Sequence, residues 1–265
     1  MTCARRDGRR AAPITYDSIS MGIVRAFFVW IAIATATLLF GLPAIVAAYL
    51  PPRGDWFLRF ARGWARTILA FSGVSVRVLR GERFRADQSV VLISNHESLA
   101  DILVLLAHAP MQVRFLAKRA VFRVPVLGWS IRAAGFIPVD RGDRVRSAAT
   151  VEAALARLRG GRSVVIFPEE TRTRTGDLLP FKKGAALLAL RSGLPLLPVG
   201  LAGTRRVLPR GSLLATPGLV VLAVGEPIRV EGLATKDRAA LTELARNAVA
   251  VLREEAAAAI ASGGT

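Results

Sequence analysis

Cysteine is nearly absent from this chain of 265 residues: Cys3 is the only one. Its isolation excludes an intrachain disulfide or a thiolate metal cluster and fits a reducing compartment. Histidine is almost as scarce, with only His96 and His108, so no metal-site spacing is present and no resident cofactor is expected. No G-x-S-x-G segment occurs, and no serine or cysteine nucleophile is marked. Acidic residues are also few, 19 against 37 Lys and Arg, for a formal net charge of +18. Zinc-finger spacing, a basic helix with heptads and an aromatic RNA-binding signature are all missing, so nucleic acid is not the expected partner for that charge.

Apolar residues are plentiful: 52% of the chain is hydrophobic and the mean hydropathy is +0.42, high for a soluble domain. A chain both basic and apolar points to an anionic membrane surface. Ala26 to Leu50 carries no charged residue and is long enough to cross a hydrocarbon core. Gly41-Leu42-Pro43 interrupts it, so a bent segment dipping into one leaflet is slightly preferred to a crossing, because basic residues flank the run on both sides. The run exceeds the usual h-region of a cleavable signal peptide, which is therefore disfavoured. From Asp55 to Phe71, Trp56, Phe57, Phe60, Trp64, Ile68 and Phe71 recur near helical spacing among Arg59, Arg62 and Arg66. That pattern describes either a helix in the lipid interface, the preferred reading, or an ordinary amphipathic helix packed on a domain.

From Val74 onward, short apolar runs alternate with amphipathic segments. Val74 to Leu79, Val90 to Ile93, Val113 to Leu116, Gly135 to Val139, Ser163 to Phe167, Leu196 to Gly200 and Leu219 to Val224 read as strands. Ser147 to Arg159, Gly184 to Arg191 and Lys236 to Ala261 read as helices. The expectation is an α/β fold, a single mixed, mainly parallel sheet flanked by helices, with an N-terminal membrane-associated helical element. Residues 1–72 would be the anchor and residues 73–265 the functional domain.

The strand ending at Ile93 delivers Ser94-Asn95-His96-Glu97-Ser98-Leu99-Ala100-Asp101 to the carboxyl edge of such a sheet, where reactive groups usually sit. Residues five apart on a regular helix point away from each other, so His96 and Asp101 meet only if a turn precedes the helix. With Ser98 as N-cap of a helix from about Leu99 to His108, Asp101 falls in the first turn and can fix the imidazole tautomer. Basic or polar clusters follow three other strands: Lys118-Arg119, then Asp140-Arg141, then Glu169-Glu170-Thr171-Arg172. Their recurrence on one rim implies an anionic substrate. Glu169 and Glu170 are adjacent on an extended segment and point apart, which discounts a paired-carboxylate glycosidase. His108 and Lys182-Lys183 read as structural and as a solvated helix start.

Asn95-His96-Glu97-Ser98-Leu99-Ala100-Asp101 resembles the NHxxxxD motif of the glycerophospholipid acyltransferase family, which includes bacterial 1-acylglycerol-3-phosphate acyltransferases. Gly135-Phe136-Ile137-Pro138-Val139-Asp140-Arg141 is similar to that family's second block, and Phe167-Pro168-Glu169-Glu170-Thr171-Arg172-Thr173 to its FPEGTRS block. Leu194 to Val199 resembles its fourth, apolar block. The resemblance implies acyl transfer from acyl-CoA or acyl carrier protein to the sn-2 hydroxyl of 1-acylglycerol 3-phosphate, with His96 as base and Asp101 supporting it. It implies substrate-binding roles for Arg141, Glu169, Thr171 and Arg172, to which Lys118 is added as a weaker candidate for the phosphate. Glu169 is expected to brace a nearby arginine or hydrogen-bond a glycerol hydroxyl rather than touch phosphate. Glu170 departs from the family's usual glycine; if the position needs positive φ, a glutamate is strained there and the acceptor is put in question. Alternatives are the same chemistry on another lysolipid, such as a lyso-ornithine lipid, and a lipid-binding protein without turnover. The expected location is a bacterial inner membrane, with the site facing the cytoplasm.

Overall fold

The computed structural model describes residues 16–50, 55–139, 144–212 and 215–263. The side chains of 16–26 and 144–147 are not described. Helix α1 (Tyr16–Tyr49) and α2 (Phe57–Phe71) precede the sheet. Then follow β1 (Val74–Leu79), β2 (Val91–Ser94), α3 (Ala100–His108), β3 (Val113–Lys118), α4 (Leu127–Ala133), β4 (Ile137–Val139) and α5 (Arg144–Arg159). The chain continues through β5 (Ser163–Ile166), α6 (Gly184–Ser192), β6 (Leu196–Ala202), α7 (Thr204–Val207), β7 (Gly218–Val224) and α8 (Arg238–Ser262).

Seven strands form one sheet in the order β1-β7-β6-β2-β5-β3-β4, parallel at every pairing except β6 with β7. This is the mixed, mainly parallel sheet expected. It is buried on both faces, and the period-2 alternation of strands decides which residue goes to which layer. Leu92, Val165, Leu197, Val199 and Leu222 face a core shared with α2 and α3. Val91, Ile93, Val164 and Leu196 face the opposite core, built with α5, α6 and α8. Each fully buried aliphatic side chain contributes about 1.5–3 kcal/mol, so β2, with all four residues buried, is strongly held at the sheet's centre.

Every expected strand is present, several with ends moved. Strand β4 starts at Ile137 because Gly135, at φ 79°, terminates α4. The seven-residue α4 was not foreseen; at Gly128 the carbonyls of Phe122 and Val121 approach too closely for a side chain. Helix α8 starts at Arg238, since Thr235–Asp237 form a tighter turn in which Ala234 N–H donates to Asp237 Oδ2 at 2.8 Å.

The N-terminal helices differ from expectation in two respects. Helix α1 runs unbroken through Pro43, so the apolar run does not fold back there. Phe27–Tyr49, 23 residues of mean hydropathy 2.2, is long and apolar enough to cross a bilayer. Helix α2 lies antiparallel to α1, with Trp64 Nε1 donating to Thr37 Oγ1 at 3.1 Å. Rather than lying free in a lipid interface, α2 buries Phe57, Leu58, Ala61, Ala65, Ile68 and Leu69. Two of its three arginines have partners inside the fold. Arg62 donates to the carbonyls of Ala109, Pro110 and Met111 and Arg66 to that of Ala107, capping the C-terminal end of α3 where free carbonyls and the helix dipole favour cations.

Candidate active site

The carboxyl ends of β2, β5, β3, β4 and β6 share one rim, on which β2, the fourth of the seven strands, ends between β6 and β5. After Ser94 the chain leaves regular structure for Asn95 to Ser98, the turn that the five-residue spacing demanded, and α3 begins at Ala100. Ser98 Oγ accepts from Ala100 N–H at 3.1 Å and donates to Leu208 O at 2.7 Å, so it supports the helix start although Leu99 holds the N-cap position. Asp101, fully buried in the first turn, reaches back over this bend. Its Oδ2 accepts from Glu97 N–H at 2.8 Å, Ser98 N–H at 2.9 Å and the His96 ring at 2.8 Å. An ionised carboxylate can only accept, so the His96 ring donates from Nδ1, and in its neutral form Nε2 is the nitrogen with a free lone pair. The ring stacks on Phe167 with centroids 4.1 Å apart, leaving its side chain 11% exposed.

Two further carboxylates hold this bend. Glu169, on the loop after β5, accepts His96 N–H at 2.6 Å and Leu179 N–H at 2.9 Å. It therefore braces the histidine's own backbone, not an arginine. Burial raises its carboxyl above the usual range, and the two N–H donors oppose that rise. Glu97 turns toward α8, where Arg253 Nε donates to it at 2.8 Å; burial also raises its carboxyl, against the pull of Arg253. Asn95 clamps the bend to β6 by exchanging two hydrogen bonds with Leu201, at 2.9 and 2.8 Å. A cavity of about 160 Å³ opens beside this bend, lined in part by Glu97, Gly203, Arg206 and Arg253.

The other expected site residues sit as follows. Thr171 and Arg172 are half-buried on the loop that carries Glu169. Glu170, at φ 57°, holds the left-handed conformation that favours glycine, and its side chain is exposed. Lys118 is exposed at the end of β3, two strands from β2, opposite Val139 in the ladder. Arg141 lies outside the described residues. His108 ends α3 half-buried, and burial lowers its imidazole below the usual value. Among the described residues there is no cluster of three or more His, Cys, Asp or Glu placed to hold a metal ion.

Sequence reading missed Asn95, Glu97 and Arg253 because the partners lie 106 and 156 residues apart. One signal was available. Arg246 and Arg253 are two helical turns apart on α8, beside the buried Val249 and Leu252, and both reach the loop after β5.

These features define an α/β protein with a histidine–aspartate pair at the carboxyl rim of its central strand and, among the described residues, no serine or cysteine side chain hydrogen-bonded to that pair. A model of the family described as Acyltransferase matches residues 75–202. The 1-acyl-sn-glycerol-3-phosphate acyltransferase of Borreliella burgdorferi is 31% identical over 189 residues, 71% of this chain and 75% of that protein. The chloroplastic 1-acyl-sn-glycerol-3-phosphate acyltransferase BAT2 of Brassica napus is 37% identical over 127 residues, 48% of this chain; the match spans only 37% of that protein. The chain belongs to the acyltransferase family. Its fold is that of the crystal structure of the 1-acyl-sn-glycerophosphate (LPA) acyltransferase PlsC from Thermotoga maritima, with a TM-score of 0.76 at 23% identity, over 89% of this chain and 97% of that one.

Proposed function

We propose that the chain transfers a fatty acyl group from a thioester, acyl-CoA or acyl carrier protein, to the sn-2 hydroxyl of 1-acylglycerol 3-phosphate, forming phosphatidic acid. The observation that carries this reading is His96 held through Nδ1 by Asp101 Oδ2 at 2.8 Å, which leaves Nε2 as the ring nitrogen not engaged by the carboxylate. In the proposed reaction His96 Nε2 removes the hydroxyl proton as that oxygen attacks the thioester carbonyl. The tetrahedral adduct collapses, the C–S bond breaks, and the imidazolium returns the proton to the departing thiolate. Asp101 stabilises the imidazolium between these steps. The acceptor alcohol is itself the nucleophile, so the chemistry calls for no acyl-enzyme, metal or further cofactor. Names of the relatives support the acceptor class, and the net charge of +18 suits both anionic substrates and an anionic membrane. Arg172 and Arg141 are assigned to the phosphate, with Lys118 as a weaker candidate and Thr171 as a further substrate-binding residue, while Glu169 positions His96. Helix α1 anchors the domain in a bacterial inner membrane with the rim toward the cytoplasm.

Glu170 favours a second reading. An exposed carboxylate beside Thr171 and Arg172 opposes a phosphate, and would suit a lysolipid with a different headgroup. The two readings separate when purified protein in detergent is given one acyl-CoA with 1-acylglycerol 3-phosphate, lysophosphatidylcholine or lyso-ornithine lipid. Selective acylation of the phosphate monoester, reduced by Arg172→Ala more than acylation of the other two, is expected. Preference for a headgroup without a terminal phosphate replaces the acceptor and keeps the mechanism, whereas no transfer from acyl-CoA or acyl carrier protein to any acceptor contradicts it.

A further inference from the structure

The loop after β5 is held by its backbone carbonyls. Arg210 donates to Arg172 O at 2.7 Å, Arg205 to Arg174 O at 2.9 Å and also to Thr175 O, and Arg246 to Leu178 O at 3.2 Å. Arg253 donates to Gly176 O. Four arginines from α7, the segment after it and α8 thus fix the segment that follows Thr171. Of the four, Arg253 is the one bonded to both sides of the site, to Gly176 O through Nη2 and to Glu97 through Nε. Glu97 in turn gives its backbone N–H to Asp101 Oδ2. The approach of α8 that makes this reach possible depends on Gly200 in β6. A Cβ there would lie 2.3 Å from Arg253 N and Leu252 C, so no residue with a side chain lets the helix backbone so close.

We propose that Arg253 is a positioning residue that registers the His96–Asp101 bend against the Thr171–Arg172 loop. This rests on the acyl-transfer reading for its kinetic consequences and on geometry alone for its structural ones. Without Arg253, Glu97 is a buried carboxylate in the field of Asp101 and Glu169, with Arg205 and Arg206 as nearby cations among the described residues. A buried charge stripped of its partner moves or takes up a proton, and its backbone moves with it. The bend and the loop then respond separately. Loss of the Glu97 partner acts on the base and lowers kcat; loss of the Gly176 bond acts on the loop and raises KM for the acceptor.

The test compares wild type, Arg253→Met, Arg253→Met/Glu97→Gln and, as a control on the same helix, Glu255→Gln, which breaks only the exposed pair with Arg80. Arg253→Met is expected to lower kcat/KM for the acceptor about 10- to 100-fold, since small misplacements near a reacting centre act on that scale. The double variant, with no buried charge left unpaired, recovers kcat to within about threefold while KM stays raised. Glu255→Gln matches wild type. Equal kcat in Arg253→Met and wild type, or no recovery in the double variant, overturns the proposal. Hydrogen exchange supplies a readout without substrate: Arg253→Met is expected to speed exchange of the amides of 95–101 and 173–179. Unchanged exchange there overturns the proposal whatever the acceptor, whereas inactive wild type with the expected exchange difference counts against the acyl-transfer reading alone.

Discussion

Three carboxylates within six residues of the bend or facing it do three different things, and their surroundings decide which. Asp101 takes three donors on one oxygen and orients His96. Glu169 holds the backbone of His96, and Glu97 holds Arg253. The first role was legible in the sequence because His96 and Asp101 are local and a turn is the only way to join them. The other two were not, since a single sequence gives no distance between Glu97 and a residue of the last helix. Glu170 was legible in part: the missing glycine flagged a positive φ, which the structure contains, but not that its side chain would face solvent. Glu97 also yields a pH prediction. Its carboxyl is raised in the folded state, so the folded chain binds that proton more tightly than the unfolded chain. Its contribution to stability is full below the ordinary carboxylate value and is lost as pH rises through the raised one. The melting temperature of wild type relative to Glu97→Gln should therefore fall as pH rises through the carboxylate range; a difference independent of pH contradicts the assignment.

At the scale of elements, the α/β rhythm was readable because each strand is a short apolar run bounded by polar residues or glycine. The two N-terminal helices show where pattern alone stops. Aromatic residues interleaved with arginine fit a lipid interface and a packed amphipathic helix equally well, and only tertiary contacts separate them: α2 caps α3 and sits in the main core. Helix α1 is different. Ala36, Ala44, Ala47 and Ala48 are buried, whereas Phe27, Phe28, Leu39, Val46 and Tyr49 are each more than 60% exposed. An apolar face of that extent suits hydrocarbon. Deleting residues 1–35 leaves too short an apolar helix to cross a bilayer and should give a folded protein that binds vesicles weakly. Deleting residues 1–72 also removes α2 from the core and should give aggregated protein. Flotation of both variants with liposomes checks this, and a soluble, folded 73–265 fragment contradicts the packing argument for α2.

Over the whole molecule, the sheet order explains why distant segments meet at one place. Strand β2 lies between β5 and β6, so the three segments that leave their carboxyl ends, carrying His96, Glu169 and Gly203, are neighbours although they span more than 100 residues of chain. Parallel strands deliver their carboxyl ends to a common rim, and helices on both faces leave that rim as the sheet's open edge. The apolar α1 belongs to the same body through its contacts with α2 and α4. The most direct measurement is turnover of acyl-CoA and 1-acylglycerol 3-phosphate by wild type and His96→Ala, at matched folding and vesicle binding. The account predicts phosphatidic acid from wild type and a loss of about 10²–10⁴-fold or more in kcat for the variant, the usual contribution of a general base. Turnover by His96→Ala at the wild-type rate would remove His96 from the mechanism and contradict it.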